Sequence, residues 1–309
     1  MNHTILGAGG SVGNSLTNQL LKTNENIRLV SRSNYSIPGT ESFKADLTSY
    51  DETLKSVQNS DIVYLCAGLP YDSKVWADLW PKVMKNSIDA CKSAKAKLIF
   101  FDNVYMYGKV EGKMTESSAF NPCSRKGEAR AKTVMLLENE INIKNINAII
   151  ARSADLYGPF ATKTSVPYIL VIDKLMYGKK AQWMIDVNKI HSLTYTIDAA
   201  RGMILLSKDE ACYNQTWHLP TSEPPVDGDT FIKLVAEELG VAPDYTILKK
   251  WMLKIIGTFS KTVHESYEML YQSEFDYYFD STKFTGYFNY KPVPYSAGIY
   301  ETIEKLKTR

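Results

Sequence analysis

The chain has 309 residues, enough for one large or two medium domains, and 44% of them are apolar, enough for a substantial core. Its 36 basic and 34 acidic residues leave a net charge of +2, so no strong field points to nucleic acid or to an anionic membrane. Four widely spaced cysteines (Cys66, Cys91, Cys123 and Cys212), with no Cys-x-x-Cys, argue against a disulfide scaffold or a zinc site and are expected as buried free thiols.

The first predicted strand, 3–7, starts almost at Met1 and leaves no room for a leader, and no membrane-length apolar run occurs, so a soluble cytoplasmic protein is expected. That strand runs into Gly7-Ala8-Gly9-Gly10-Ser11-Val12-Gly13 and then into a helical period, Val12, Leu16, Leu20 and Leu21, predicting a helix over 11–22. Strand, glycine turn and helix in this order predict a dinucleotide-binding loop. Gly7, Gly10 and Gly13 permit a tight turn and close approach to a pyrophosphate, which would rest on the helix start at Ser11, Val12 and Gly13. The spacing is Gly-x-x-Gly-x-x-Gly rather than Gly-x-Gly-x-x-Gly.

The second strand, 27–31, ends in Ser31-Arg32-Ser33 with no carboxylate to accept from a ribose 2′-OH. Arg32 can fork onto a 2′-phosphate and Ser31 can donate to it, so NADP(H) is expected in preference to NAD(H). After a third strand at 42–44, Asp46 and Leu47 are placed to meet the adenine. A helix over 50–57 leads to a strand at 61–66, whose end, Cys66-Ala67-Gly68, is small enough to pass close to the adenosine side of the cofactor. A helix over 74–95, a strand over 97–102, a helix over 123–142 and a strand over 146–151 complete the alternation. The apolar runs Ile62-Val63-Tyr64-Leu65 and Lys97-Leu98-Ile99-Phe100-Phe101 suit strands buried on both faces. The fold class expected is therefore α/β, a Rossmann-type doubly wound parallel sheet with a smaller C-terminal part. Residues 1–165 and roughly 187–210 are expected to form the dinucleotide-binding domain, and roughly 166–186 and 211–309 the substrate-binding part.

Farther on, Ile247, Leu248, Trp251, Met252, Ile255, Ile256 and Phe259 recur at helical spacing, with Lys249, Lys250, Lys254 and Lys261 among them. A basic amphipathic helix serves a membrane surface in some proteins. Packing on its own domain is the commoner use and the one expected here, with no membrane and no nucleic-acid partner. Tyr267, Tyr271, Tyr277 and Tyr278 follow, either lining a pocket or packing.

Several landmarks arrive in order. Val104-Tyr105-Met106-Tyr107-Gly108 follows the fifth strand, Arg152-Ser153-Ala154-Asp155-Leu156-Tyr157-Gly158-Pro159 the sixth, then His191 through Asp198-Ala199-Ala200, and finally Asp280-Ser281-Thr282-Lys283-Phe284. With the glycine loop they resemble the extended, nucleotide-sugar epimerase/dehydratase-like branch of the short-chain dehydrogenase/reductase superfamily. The resemblance implies an NAD(P)-dependent oxidoreductase or epimerase-like enzyme, a small-molecule substrate such as a nucleotide sugar, and a homodimer through the 74–95 and 123–142 helices.

The catalytic residues depart from that family's pattern. Its Ser or Thr, five residues before the glycine of Val-Tyr-Gly, corresponds to Asn103, preceded by Asp102. Its Tyr-x-x-x-Lys corresponds to Asn121-Pro122-Cys123-Ser124-Arg125-Lys126-Gly127-Glu128-Ala129-Arg130, which contains no tyrosine. Asn121 is expected to cap that helix, with Pro122 in its first turn. Lys126 and Arg130 share a helix face, and their spacing resembles the isoflavone-reductase-like atypical branch, which uses a lysine where others use tyrosine. A lysine holds its proton at neutral pH unless burial or a neighbouring cation eases it off. The candidate catalytic residues are thus Lys126, which would also meet the cofactor, Asn103 as hydrogen-bonding partner of a substrate oxygen, Asp102 as base or turn cap, and Tyr105 as proton donor. The competing readings are a solvated helix face for Lys126 and Arg130, and a non-catalytic NADP(H)-binding sensor for the whole chain. His3, His191, His218 and His264 lack ligand spacing, and no metal is expected.

Overall fold

The computed structural model describes residues 1–162 and 164–308. The chain forms two compact units. The first comprises Met1–Met106, Arg125–Arg152 and Ala200–Trp217, the second Tyr107–Ser124, Ser153–Ala199 and His218–Arg309.

In chain order the elements are β1 (Asn2–Leu6), α1 (Ser11–Leu20), β2 (Asn26–Ser31), β3 (Glu41–Lys44), α2 (Tyr50–Val57), β4 (Ile62–Leu65), α3 (Ser73–Ala94), β5 (Lys97–Asp102), β6 (Lys113–Met114), α4 (Arg125–Asn142) and β7 (Ala148–Arg152). Then come β8 (Asp155–Tyr157), α5 (Asp173–Met176), β9 (Ala181–Met184), β10 (Leu193–Tyr195), α6 (Thr196–Lys208), β11 (Gln215–His218), α7 (Gly228–Leu239), β12 (Tyr245–Leu248) and α8 (Lys250–Phe259).

The main sheet has seven strands in the order β11-β7-β5-β4-β1-β2-β3. From β7 to β3 every neighbour pair is parallel, as the Rossmann expectation requires. All four residues of β4 and all five of β7 are buried, which is why these segments read as unbroken apolar runs. The register aligns Leu6 with Val30 and Leu65, and Leu65 with Phe100, so β1, β2, β4 and β5 end along one edge of the sheet. The strand order reverses on either side of β1, and at such a switch point the loops leaving the strands open a crevice.

Local chemistry sets the helix bounds. Asp72 caps α3 by accepting from the backbone N–H groups of Lys74 and Val75, and Lys95 closes it in the left-handed region, φ 56°. The start of α4 corrects the sequence reading, because the helix begins at Arg125 and Asn121 does not cap it. Asn121 instead lies against the turn at Gly108, where φ is +64° and a Cβ would stand 1.9 Å from the Asn121 carbonyl oxygen. A second correction concerns the thiols. Cys66, Cys91 and Cys212 are buried, but Cys123, in the extended segment before α4, is exposed. The short strands β8 to β12 were not foreseen.

In the second unit β10 pairs with β8, and β12 with β9, in two small parallel ribbons. Tyr157, Trp183, Phe231 and Tyr295 centre its core.

Candidate functional site

The glycine loop is built by close approach. Gly7 has φ +94°, and a Cβ there would lie 2.3 Å from the Ala67 Cα, so the exits of β1 and β4 run in contact. Cys66 secures this by donating its backbone N–H to the Leu6 carbonyl at 2.8 Å, and Gly7 and Ala8 both donate to the Val30 carbonyl at 3.0 Å. A Cβ on Gly13 would stand 3.0 Å from the Gly7 carbonyl, a tight contact that would press α1 away from β1. Gly10 occupies the N-cap of α1 and contributes no side-chain cap, leaving the N–H groups of the first turn, from Ser11 through Gly13, to whatever sits before the helix. Val12 turns inward and is buried. Gly68 is exposed, with open space where its Cβ would be. The loop therefore fits a dinucleotide pyrophosphate, with glycine where a side chain would fill the cradle.

At the end of β2, Ser31 accepts from the backbone N–H of Tyr35 at 2.8 Å, which leaves its own hydroxyl proton to donate. Arg32 is exposed. Asp46 accepts from the Thr48 backbone N–H at 2.9 Å and the Thr48 hydroxyl at 2.8 Å. These bonds, with help from the Arg32 charge, hold its carboxyl below the usual range. Leu47 offers its carbonyl to the Asn86 side chain at 2.9 Å.

Around the end of β5 the structure replaces two of the sequence expectations. Arg130 and Lys126 are 3% and 0% exposed, so the α4 face they share is interior, not solvated. Asp102 is fully buried, with one oxygen 2.5 Å from Arg130 Nε and the other 3.0 Å from Arg152 Nε. Asp102 is thus the counter-ion of both guanidinium groups. Arg130 also donates to the Phe101 carbonyl at 3.1 Å and lies under the rings of Trp80 (4.3 Å) and Phe100 (4.6 Å). Burial pulls the Arg130 guanidinium below its ordinary range, against the opposing pull of Asp102.

Lys126 extends over the ring of Tyr71, with Nζ 4.6 Å from its centroid. Tyr71 meets Trp76 edge-on, and Trp76 stacks on Tyr105 at 5.9 Å. Tyr105 is thus part of an aromatic row at the start of α3. Asn103 accepts the Tyr105 backbone N–H at 3.0 Å through its amide oxygen, so its NH2 end is the donor side of the group. Sequence reasoning missed Tyr71, Trp76 and Arg152, because nothing local marks a side chain that works through a partner far along the chain.

The second unit has a small pocket of its own, lined by Val166, Pro167, Leu170, Trp183, Met184 and the pair Asp155 and His191. His191 Nε2 lies 2.9 Å from the Asp155 carboxylate, and its ring stacks on Tyr277 at 4.7 Å. The signal available was that Asp155 and His191 fall in two successive landmarks of the sequence, Arg152 to Pro159 and His191 to Ala200.

Residues 3–215 match the NAD dependent epimerase/dehydratase family, and the chain belongs to it. No curated protein matches the chain. Among solved structures, a dTDP-glucose 4,6-dehydratase from Bacillus anthracis in complex with NAD is similar at 14% identity, covering 100% of this chain and 97% of that one, with a TM-score of 0.82. A UDP-glucuronic acid 4-epimerase from Bacillus cereus in complex with NAD is similar at 18% identity, covering 100% and 99%, with a TM-score of 0.81. A UDP-glucose 4-epimerase from Thermotoga maritima with UDP-glucose is similar at 16% identity, covering 100% and 99%, with a TM-score of 0.82.

Proposed function

We propose that the protein is an NADP(H)-dependent oxidoreductase or epimerase-like enzyme in which Lys126 replaces the family's tyrosine at the substrate oxygen. The observation that carries this reading is the complete burial of the Lys126 ammonium beside an aromatic ring, one helix after the strand that ends in Asp102-Asn103. A lysine is seldom buried completely unless it is paired, so its place in this interior is built rather than incidental. When bound, the nicotinamide supplies or accepts the hydride. The protein's part is to hold the substrate oxygen and move its proton: Lys126 Nζ gives or takes the proton, and the Asn103 amide donates a hydrogen bond to the same oxygen. Arg130 and Asp102 position this helix face.

The 2′-phosphate preference rests on β2, which ends without a carboxylate and with Arg32 in solvent. Two of the similar structures hold NAD, so this preference is a departure that binding must test. Those structures act on nucleotide sugars, which makes a sugar alcohol or keto-sugar the first substrate class to try.

Absence of the family's serine and tyrosine favours a second reading, a cofactor sensor without turnover. Lys126→Met separates the two, because Met matches the lysine in length and needs no counter-ion. With reduced cofactor and keto-sugars the wild type is expected to oxidise the nicotinamide, and with oxidised cofactor and nucleotide sugars to reduce it or to release an epimerised sugar. The variant is expected to keep cofactor affinity and lose turnover about 100- to 10,000-fold. Full activity in the variant removes Lys126 from the chemistry. Tight cofactor binding without turnover in the wild type establishes the sensor.

A further inference from the structure

Helix α8 packs one face on its own unit and exposes another that is just as apolar. Leu253 and Gly257, one turn apart, are the buried positions, and Leu253 joins Leu248 and Leu270 in a small cluster. On the outside, Trp251 is 62% exposed, Ile255 54%, Ile256 41% and Phe259 90%. Trp251, Ile255 and Phe259 are spaced four apart, so they form a continuous stripe along the helix, and Ile256 widens it. Single exposed apolar residues are ordinary. Four on one short helix, two of them aromatic, form a patch that a soluble surface rarely leaves uncovered.

The charge around the stripe indicates what covers it. From Lys249 to His264 the chain carries four lysines and no carboxylate. Lys249, Lys250 and Lys254 are exposed, with Lys250 2.5 Å from Glu274. A second copy of the chain meeting this face about a two-fold axis would set lysines against lysines. An anionic lipid surface suits both features: the aromatic and branched side chains enter the headgroup boundary while the lysines stay at the phosphates. No helix among the described residues is long and apolar enough to cross a membrane, so such attachment is peripheral.

We propose that α8 docks the protein on anionic membrane surfaces, with Trp251, Ile255 and Phe259 inserted and Lys249 and Lys254 on the lipid phosphates. The test is co-sedimentation of the full chain with vesicles of phosphatidylglycerol and phosphatidylcholine in about equal parts, against vesicles of phosphatidylcholine alone. The wild type is expected to pellet with the anionic vesicles, at least about tenfold more strongly than with the neutral ones, and to be released at about 1 M salt. Trp251→Ser with Phe259→Ser, and separately Lys249→Glu with Lys254→Glu, are each expected to lose binding by at least about tenfold. All four side chains are exposed, so melting temperatures should hold. Failure of the wild type to pellet with anionic vesicles overturns the proposal and leaves the face to a protein partner. So does undiminished binding by either variant. A lipid-free oligomer that Trp251→Ser with Phe259→Ser dissolves would also overturn it, in favour of an interface between copies.

Discussion

Asp102, Arg130 and Arg152 form a buried ion cluster, assembled from the ends of two neighbouring strands and one helix face. Removing Asp102 takes away the buried carboxylate that both guanidinium groups face. Asp102→Ala is therefore expected to cost about 3–5 kcal/mol in a denaturant unfolding series. A loss under about 1 kcal/mol would mean that water reaches the arginines and that the triad does not hold the α4 face in place. At this scale motif counting reaches single positions: Asn103 by its offset from Gly108, and Lys126 by its four-residue spacing from Arg130. It misled where a residue's role depends on a distant partner. The ion pairs of Asp102 with Arg130 and Arg152 were not legible, because Arg152, on another strand, is invisible to local spacing.

The elements that position the site were legible nearly to the residue. Parallel strands buried on both faces are apolar runs, and β5 (Lys97–Asp102) and α2 (Tyr50–Val57) coincide with their expected bounds. The predicted helix over 123–142 starts late because Asn121 and Cys123 pack against Gly108 instead. The strands β8 to β12 have three or four residues each, too few for a period-two pattern to rise above chance. In α8 the apolar period was plain, but periodicity does not tell which apolar face is buried. The glycine loop makes the sharpest prediction at this level. Gly7→Ala must fit a Cβ against the Ala67 backbone in a left-handed conformation, so the exits of β1 and β4 must separate. We expect about 1–3 kcal/mol of lost stability in thermal or denaturant melts, together with loss of dinucleotide binding. Wild-type binding by this variant would show that the loop does not cradle the cofactor.

Taken whole, the chain is two units, each with its own core, and the family assignment covers the first together with part of the second. The buried thiols report on the integrity of the first unit. Burial pushes the Cys66 and Cys91 thiols up to about 12, and Cys212 is buried too, whereas Cys123 is exposed. A disulfide reagent added to the native protein near neutral pH is expected to label Cys123 alone, with the other three reacting only after denaturation. Rapid labelling of Cys66 in the native state would mean that the β4 exit opens, which a fixed cofactor crevice does not allow.

We propose that the first unit holds a nicotinamide dinucleotide and prefers one that carries a 2′-phosphate. Calorimetric titration of the purified protein, stripped of any copurified cofactor, with NADPH and with NADH tests it most directly. The account predicts binding of both, tighter for NADPH, with Arg32→Ala weakening NADPH by about 1–3 kcal/mol and leaving NADH unchanged. Equal losses for the two cofactors would contradict the role of Arg32, and no binding of either would contradict the dinucleotide site itself.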